Sequence, residues 1–326
     1  MRSKHAWLAV QALVTAALLV TLFRVLDLEA FGRLFASLPL WFYAVSLALI
    51  LGGQALYAWR WWVLLVAAGV RVSYAHVLRQ YFIGVFVNNF LPSTVGGDVA
   101  KVYYLGRDHG YRTVTASVIL DRILGIGLLS LYSAGVLWLA PIEAAPLAAA
   151  RLAVTGVAGA AVVLMGVVAF GTGGLPDRVR GLGAFAVRQA ERLQRLRIDM
   201  AGPLTHPVVL LKAALVVAVY FVAVTAVYEG FLALQADVVP GVWLVFGVVS
   251  ATTVLSNIPV ALNGLGLREQ LHAVLLAPLG VAPEAAVAIS LLFFGHLIIA
   301  SLIGLAFWLQ APPAVPERAL GAQLDA

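Results

Sequence analysis

Acids and bases able to handle an anionic group gather at three places in the sequence. One is Gly96-Gly97-Asp98 with Lys101, which closes the run Asn88-Asn89-Phe90-Leu91-Pro92-Ser93-Thr94-Val95. The second is Asp121-Arg122. The third is Arg268-Glu269, which ends the run Asn257-Ile258-Pro259-Val260-Ala261-Leu262-Asn263-Gly264-Leu265-Gly266-Leu267. Glycines at a helix start let backbone N–H groups approach an anion, and the helix dipole favours negative charge there. A guanidinium matches phosphate oxygens bidentately, so Arg122 and Arg268 lead the candidates for holding a phosphate. Each group also has a structural reading. Asp98 could cap its helix or pair with Lys101, and each arginine could pair with the acid beside it. Glu229, in Tyr228-Glu229-Gly230, is either a proton or cation site or a carboxylate at an interface. His296 fits packing better than a relay.

Other chemistries lack their residues. There are no cysteines, which excludes disulfides, thiolate metal sites and a cysteine nucleophile. The six histidines are scattered without metal-ligand spacing. No G-x-S-x-G, H-E-x-x-H or Walker A pattern occurs. No cofactor, no metal and no enzymatic activity are expected.

The elements that position these residues follow from composition. Of 326 residues, 63% are hydrophobic and 11% charged, against roughly 45–50% and about 25% in a soluble domain. With a mean hydropathy of +0.99, the chain needs lipid as solvent. It is predicted to be all-α and polytopic, with six spanning helices at 6–23, 40–58, 114–139, 152–171, 208–234 and 284–309. The first is longer than a signal-peptide core and lacks an A-x-A-like site, so it is read as uncleaved. The stretches near 80–105 and 241–280 are interrupted by the first and third runs above. Neither half of either is long enough to cross, and proline and glycine break the helix. Unpaired backbone at membrane depth needs protein or water beside it, so both stretches are predicted to be re-entrant hairpins. The alternative is a pair of kinked spans or surface loops.

Charge supports this topology. With the N-terminus in the cytoplasm and each hairpin returning to its side, seventeen of the 21 basic residues fall inside. Arg60, Lys101 and Arg122 count among them, while Arg24, Arg33, Arg151 and Arg268 fall outside. The bias predicts both termini in the cytoplasm, in the plasma membrane. The two breaks then enter from opposite sides, and their Asn-Pro-Gly patterns echo each other. Paired broken segments point to an inverted repeat with a midplane site, here halves 1–140 and 141–311. Residues 177–200 are expected to form an amphipathic cytoplasmic helix on the membrane surface, and 312–326 a disordered tail. The net charge of +6 is explained by topology and anionic lipid, and nucleic acid is not an expected partner. The tryptophans mostly fall at span ends, as an aromatic belt.

Three motifs together resemble a known family. They are N-x-F-L-P-S-T-V-G-G-D-V-A-K at 88–101, Leu120-Asp121-Arg122, and P-V-A-L-N-G-L-G-L-R-E at 259–269. They look like the lysyl-phosphatidylglycerol synthase transmembrane-region family, also called flippase-like or UPF0104 membrane proteins. The resemblance covers nearly the whole chain. It implies a lipid translocation domain with re-entrant helices in two inverted halves. It points to Pro92, Gly96, Gly97, Asp98, Arg122, Pro259, Gly264, Gly266, Arg268 and Glu269. The residue reading adds Asn89, Lys101, Asp121, Glu229 and Asn263. Large members carry a soluble aminoacyl-transferase domain after the membrane part. None is read after residue 311, so synthase activity is not expected.

The expected function is movement of an anionic or glycosylated lipid between leaflets. The alternatives are an embedded headgroup-modifying enzyme, with Asp98, Asp121 or Glu269 as acid or base, and a non-transporting partner of lipid-biosynthesis enzymes. Acids beside bases stay ionised and donate protons poorly, which disfavours the enzyme. The implied partners are anionic phospholipid, glycolipid or isoprenoid lipid. Biosynthetic enzymes and further copies of the chain are compatible with them.

Overall fold

An apolar stretch in hydrocarbon must satisfy its own backbone N–H and C=O groups, which a helix does and an open strand does not. The computed structural model describes residues 28–90, 96–141, 143–171, 174–178, 181, 183–235, 240–258 and 264–310, with positions 13 and 20. Every regular element among the described residues is helical. Pro92, Pro259, Asn263, the tail 312–326 and most of the expected span 6–23 lie outside them.

The helices are α1 (Leu28–Ser37), α2 (Leu40–Ala67), α3 (Tyr74–Phe90), α4 (Gly96–His109), α5 (Tyr111–Leu139), α6 (Ala145–Phe170), α7 (Ala184–Leu204), α8 (Pro207–Gln235), α9 (Val242–Ser256), α10 (Leu267–Leu276) and α11 (Pro283–Leu309). α6, α8 and α11 each begin on or next to a proline, where the missing N–H has no intrahelical partner to lose. Five helices, α2, α5, α6, α8 and α11, are long and apolar enough to cross a membrane, with 26 to 29 residues each. At about 1.5 Å per residue they exceed the ~30 Å hydrocarbon core. They match the expected spans from residue 40 onward. The outer surface of α6 shows why lipid is required: Val163, Val167 and Phe170 are exposed. In water such a surface would be a large apolar patch.

One boundary differs from expectation. α2 does not stop at residue 58 but continues to Ala67, so Arg60 is a buried helix residue and not part of a cytoplasmic loop. The run Trp61-Trp62-Val63-Leu64-Leu65 is apolar enough to carry the helix on, provided the single charge before it finds a partner.

Each interrupted stretch holds two separate helices among the described residues. α3, α4, α9 and α10 have 17, 14, 15 and 10 residues. At about 1.5 Å per residue, none matches the ~30 Å core. α3 and α4 double back on each other. The Gly97 N–H donates to Asn88 Oδ1 at 2.7 Å, and a methyl group on Gly97 would overlap the Gly84 carbonyl. α9 and α10 also pack together. Their connection holds Gly264 at φ +71° and Gly266 at φ +80°, a region that side-chain-bearing residues rarely enter.

α5 and α11 hold the two broken pairs in place. α5 packs on α4 and α9, and α11 packs on α3 and α10. The contact of α11 with α3 is backbone-close, because a Cβ on Gly304 would overlap the Phe82 carbonyl. Gly304→Ala is therefore expected to cost about 1–3 kcal/mol through overpacking. Thermal unfolding of the detergent-solubilised variant, followed by tryptophan fluorescence, checks this.

The expected amphipathic segment is mainly helical in its described parts. The continuous helix is α7, preceded by a single helical turn at Leu175–Arg178. One side of α7, with Ala190, Met200 and Leu204, is buried against the protein, while Phe185, Leu193 and Ile198 are exposed. Arg188, Arg192 and Arg195 are exposed.

Candidate functional site

Charges buried among spanning helices need partners, since each costs about 2.5–3.5 kcal/mol at the centre of an inserted helix. The most buried ion pairs among the described residues form two groups, one at each break.

The first group draws on α2, α4 and α5. Arg60 Nε donates to Asp121 Oδ1 at 2.8 Å and Nη2 donates to Oδ2 at 3.1 Å, a bidentate pair. Its guanidinium lies over the Tyr57 ring, 4.5 Å from the centroid. Gly125 makes room for it: a Cβ there would sit 2.9 Å from Nη2. Arg60 Nη1 is buried with no hydrogen-bond partner. Beside this pair, Asp98 bridges two cations. Lys101 Nζ lies 3.3 Å from Asp98 Oδ1, and Arg122 Nη2 lies 2.9 Å from Oδ2. Lys101 is also held over Tyr81 at 4.6 Å and Trp61 at 5.5 Å. The side chains of Lys101 and Asp98 are nearly buried, whereas Arg122 is 42% exposed.

The pairing is thus crossed relative to the neighbour pairs considered from sequence. Asp121 does not serve Arg122 but Arg60, and Arg122 serves Asp98. Adjacent residues on a helix point about 100° apart, so neighbours reach different helices. Asp98 is the third residue of α4 and bridges the two cations. Gly96 and Gly97 open that helix, and Gly97 belongs to the closure of the α3–α4 turn. Asn89 points elsewhere: its Nδ2 donates to Ser301 Oγ on α11 at 2.6 Å.

The second group lies at α10. Arg268 donates to Glu269 Oε1 from Nη2 at 2.6 Å and from Nε at 3.0 Å, so here the neighbour pairing holds. A shared helix start lets the long arginine side chain fold back. Ser290 on α11 also donates to Oε1 at 3.2 Å, and the Gly266 N–H donates to Oε2 at 2.7 Å. Phe294 stacks under the guanidinium at 4.8 Å. Glu269 is completely buried. His272 faces the Arg268 carbonyl through Nδ1 at 2.8 Å, so Nδ1 carries the proton. Nε2 then accepts from the Tyr228 hydroxyl of α8 at 2.8 Å.

Two candidates fall outside both groups. Glu229 is half-buried on α8 with Oε1 unpartnered. His296 is a packing residue, between the Leu292 carbonyl at 2.7 Å and Ser46 Oγ at 3.1 Å.

Sequence reasoning missed Arg60, Tyr57, Tyr81, Trp61, Tyr228, Ser290 and His272. Arg60 carried a usable signal, a single charge followed by an apolar run. Trp61 departs from the aromatic belt. It is buried, and its indole donates to Ser117 at 3.1 Å, while Trp41, Trp138, Trp243 and Trp308 are exposed as a belt requires.

The comparisons with known proteins agree with this architecture. The chain is 37% identical over 75 residues to a UPF0104 membrane protein of Pyrococcus horikoshii, a match spanning 22% of each chain. The profile of the lysylphosphatidylglycerol synthase TM region matches residues 8–304. With that match running through both breaks and every described spanning helix, the chain belongs to the lysylphosphatidylglycerol synthase transmembrane-region family.

Proposed function

We propose that this protein moves an anionic or glycosylated lipid between the two leaflets of the plasma membrane, as a transporter and not as an enzyme. The observation that supports this reading best is the cluster of Arg60, Lys101 and Arg122 with two acids, at a broken helix pair inside a spanning bundle. Three bases against two acids leave one positive charge over. Arg122 reaches the surface, and Arg60 Nη1 is a buried donor without a partner. That arrangement suits a phosphate better than it suits bond-breaking, because both acids are already committed to bases.

In this reading both broken pairs are re-entrant, the two halves form an inverted repeat, and both termini are cytoplasmic. The similar roles of α5 and α11, each touching one helix of both pairs, support the repeat.

The test is reconstitution of the purified protein in liposomes with headgroup-labelled phosphatidylglycerol and a membrane-impermeant quencher. Wild-type protein is expected to accelerate leaflet exchange, and Arg122→Gln to slow it about tenfold, the effect of losing one charge-assisted contact. Unchanged exchange in Arg122→Gln would remove this cluster from the transport path. A change in lipid composition instead of leaflet distribution would favour the headgroup-modifying enzyme.

A further inference from the structure

In both breaks the third residue of the following helix is an acid, Asp98 in α4 and Glu269 in α10. Each occupies the position where the helix dipole favours an anion, yet the two are held differently. Both hydrogen bonds from Arg268 go to one oxygen of Glu269, and the other oxygen binds the backbone of its own helix start, in a fully buried setting. Asp98 instead spends one oxygen on each of two separate cations, Lys101 and Arg122. Glu269 is therefore structural, while Asp98 holds the place of a ligand.

We infer that Asp98 is a resident counter-anion, displaced from Lys101 and Arg122 by the phosphate of an entering lipid. The inference rests on the reading of this cluster as a headgroup site, and it narrows the substrate class. The cluster of Arg60, Lys101, Arg122, Asp98 and Asp121 carries a net charge of one positive unit. A phosphodiester with a single negative charge neutralises it. A phosphomonoester, with its second charge, overshoots. While the site is empty Asp98 keeps the two cations positioned and partnered at membrane depth, where an unpaired charge is costly. When the phosphate leaves, Asp98 returns to both cations. Without this acid the site would hold two positive units and would bind its lipid more tightly but release it more slowly.

The test compares lipid retention with lipid exchange in the full chain. Retention of phosphatidylglycerol over phosphatidylcholine is titrated by native mass spectrometry of the detergent-solubilised protein, and exchange is measured in liposomes. Asp98→Asn is expected to retain phosphatidylglycerol about tenfold more tightly while exchanging it more slowly. Lys101→Gln, which leaves no spare positive charge, is expected to bind more weakly. The double variant Asp98→Asn/Lys101→Gln restores the net charge and is expected to return towards wild-type retention, which a merely structural Asp98 would not produce. Should Asp98→Asn fail to fold, the comparison of Lys101→Gln with the double variant decides the question alone.

Equal or weaker binding in Asp98→Asn, with no recovery in the double variant, overturns the counter-anion role. If Arg122→Gln still weakens binding in that case, the headgroup reading survives. If no variant at the cluster alters binding, the headgroup reading itself fails. Inorganic phosphate added to the titration distinguishes the source of the anion. Full competition with no preference for phosphatidylglycerol over phosphatidylcholine would mean that the site takes free phosphate, and the lipid assignment would fall.

Discussion

Arg60→Met is expected to destabilise the protein by about 3–5 kcal/mol, among the largest effects a single substitution can have here. Asp121 has only 12% of its side chain exposed and would be left charged with its principal partner gone. The guanidinium is also gripped from below by Tyr57. Replacing both members, Arg60→Met with Asp121→Leu, removes both desolvated charges together. It is expected to recover most of the loss, because a buried ion pair often contributes little over apolar side chains of similar volume. Retained tryptophan fluorescence after stepwise heating in detergent measures stability in both variants. Lipid exchange should be lost in both. A double variant that is stable but still exchanges lipid would show the pair to be purely structural. A single variant as stable as wild type would show that Asp121 finds a replacement cation.

Arg268→Ala is the second large effect. It strips the completely buried Glu269 of its cation, leaving the Ser290 hydroxyl and backbone N–H groups of the helix start, that of Gly266 among them. Removing one partner of a buried pair costs about 3–5 kcal/mol. Exchange in liposomes is expected to fall to the protein-free background. To separate folding from transport, Arg268→Ala is combined with Glu269→Gln, which has no charge to leave unpaired and can still accept from Gly266. The double variant is expected to regain stability but not exchange. Recovery of exchange along with stability would confine Arg268 to a structural role and leave transport to the first cluster.

Much of this was legible in the residues. Length and hydropathy alone located the five described spans, because about 20 apolar residues in lipid have one good solution. Clustered Pro/Gly/Asn runs located both breaks, since several such residues together disfavour a helix, although Gly52, Gly53 and Pro203 are accommodated singly inside α2 and α7. Gly264 and Gly266, singled out from the pattern, adopt backbone angles that suit glycine. What was not legible is which acid serves which base. Asp121-Arg122 and Arg268-Glu269 look alike as neighbours in sequence. One pair splits to serve α2 and α4, and the other folds onto itself. That choice depends on helix rotation and on what lies opposite, which no local pattern carries. Arg60 shows the same limit: the residue that fills the core lay two positions beyond a boundary drawn by hydropathy. The second tier, Tyr228 with His272 and Ser290, comes from helices far apart in sequence and leaves no local trace.

The lengths of α2 and α5 carry one more consequence, which concerns depth. Arg60 lies seven residues before the end of α2 and Asp121 ten residues after the start of α5. At about 1.5 Å per residue, their pair is roughly 10–15 Å from those helix ends. Helices of 28 and 29 residues just match a bilayer with its headgroup layers, about 40–45 Å. If the two helices cross that thickness end to end, the pair lies roughly 5–10 Å inside the edge of the ~30 Å hydrocarbon core and a similar distance from its midplane. On the proposed function, a lipid of that leaflet would have to draw its headgroup about that far below the hydrocarbon edge to reach these cations. Entry into the cluster would then depend on local thinning of one leaflet, and the thickness of the host bilayer would set how readily such a lipid is taken up.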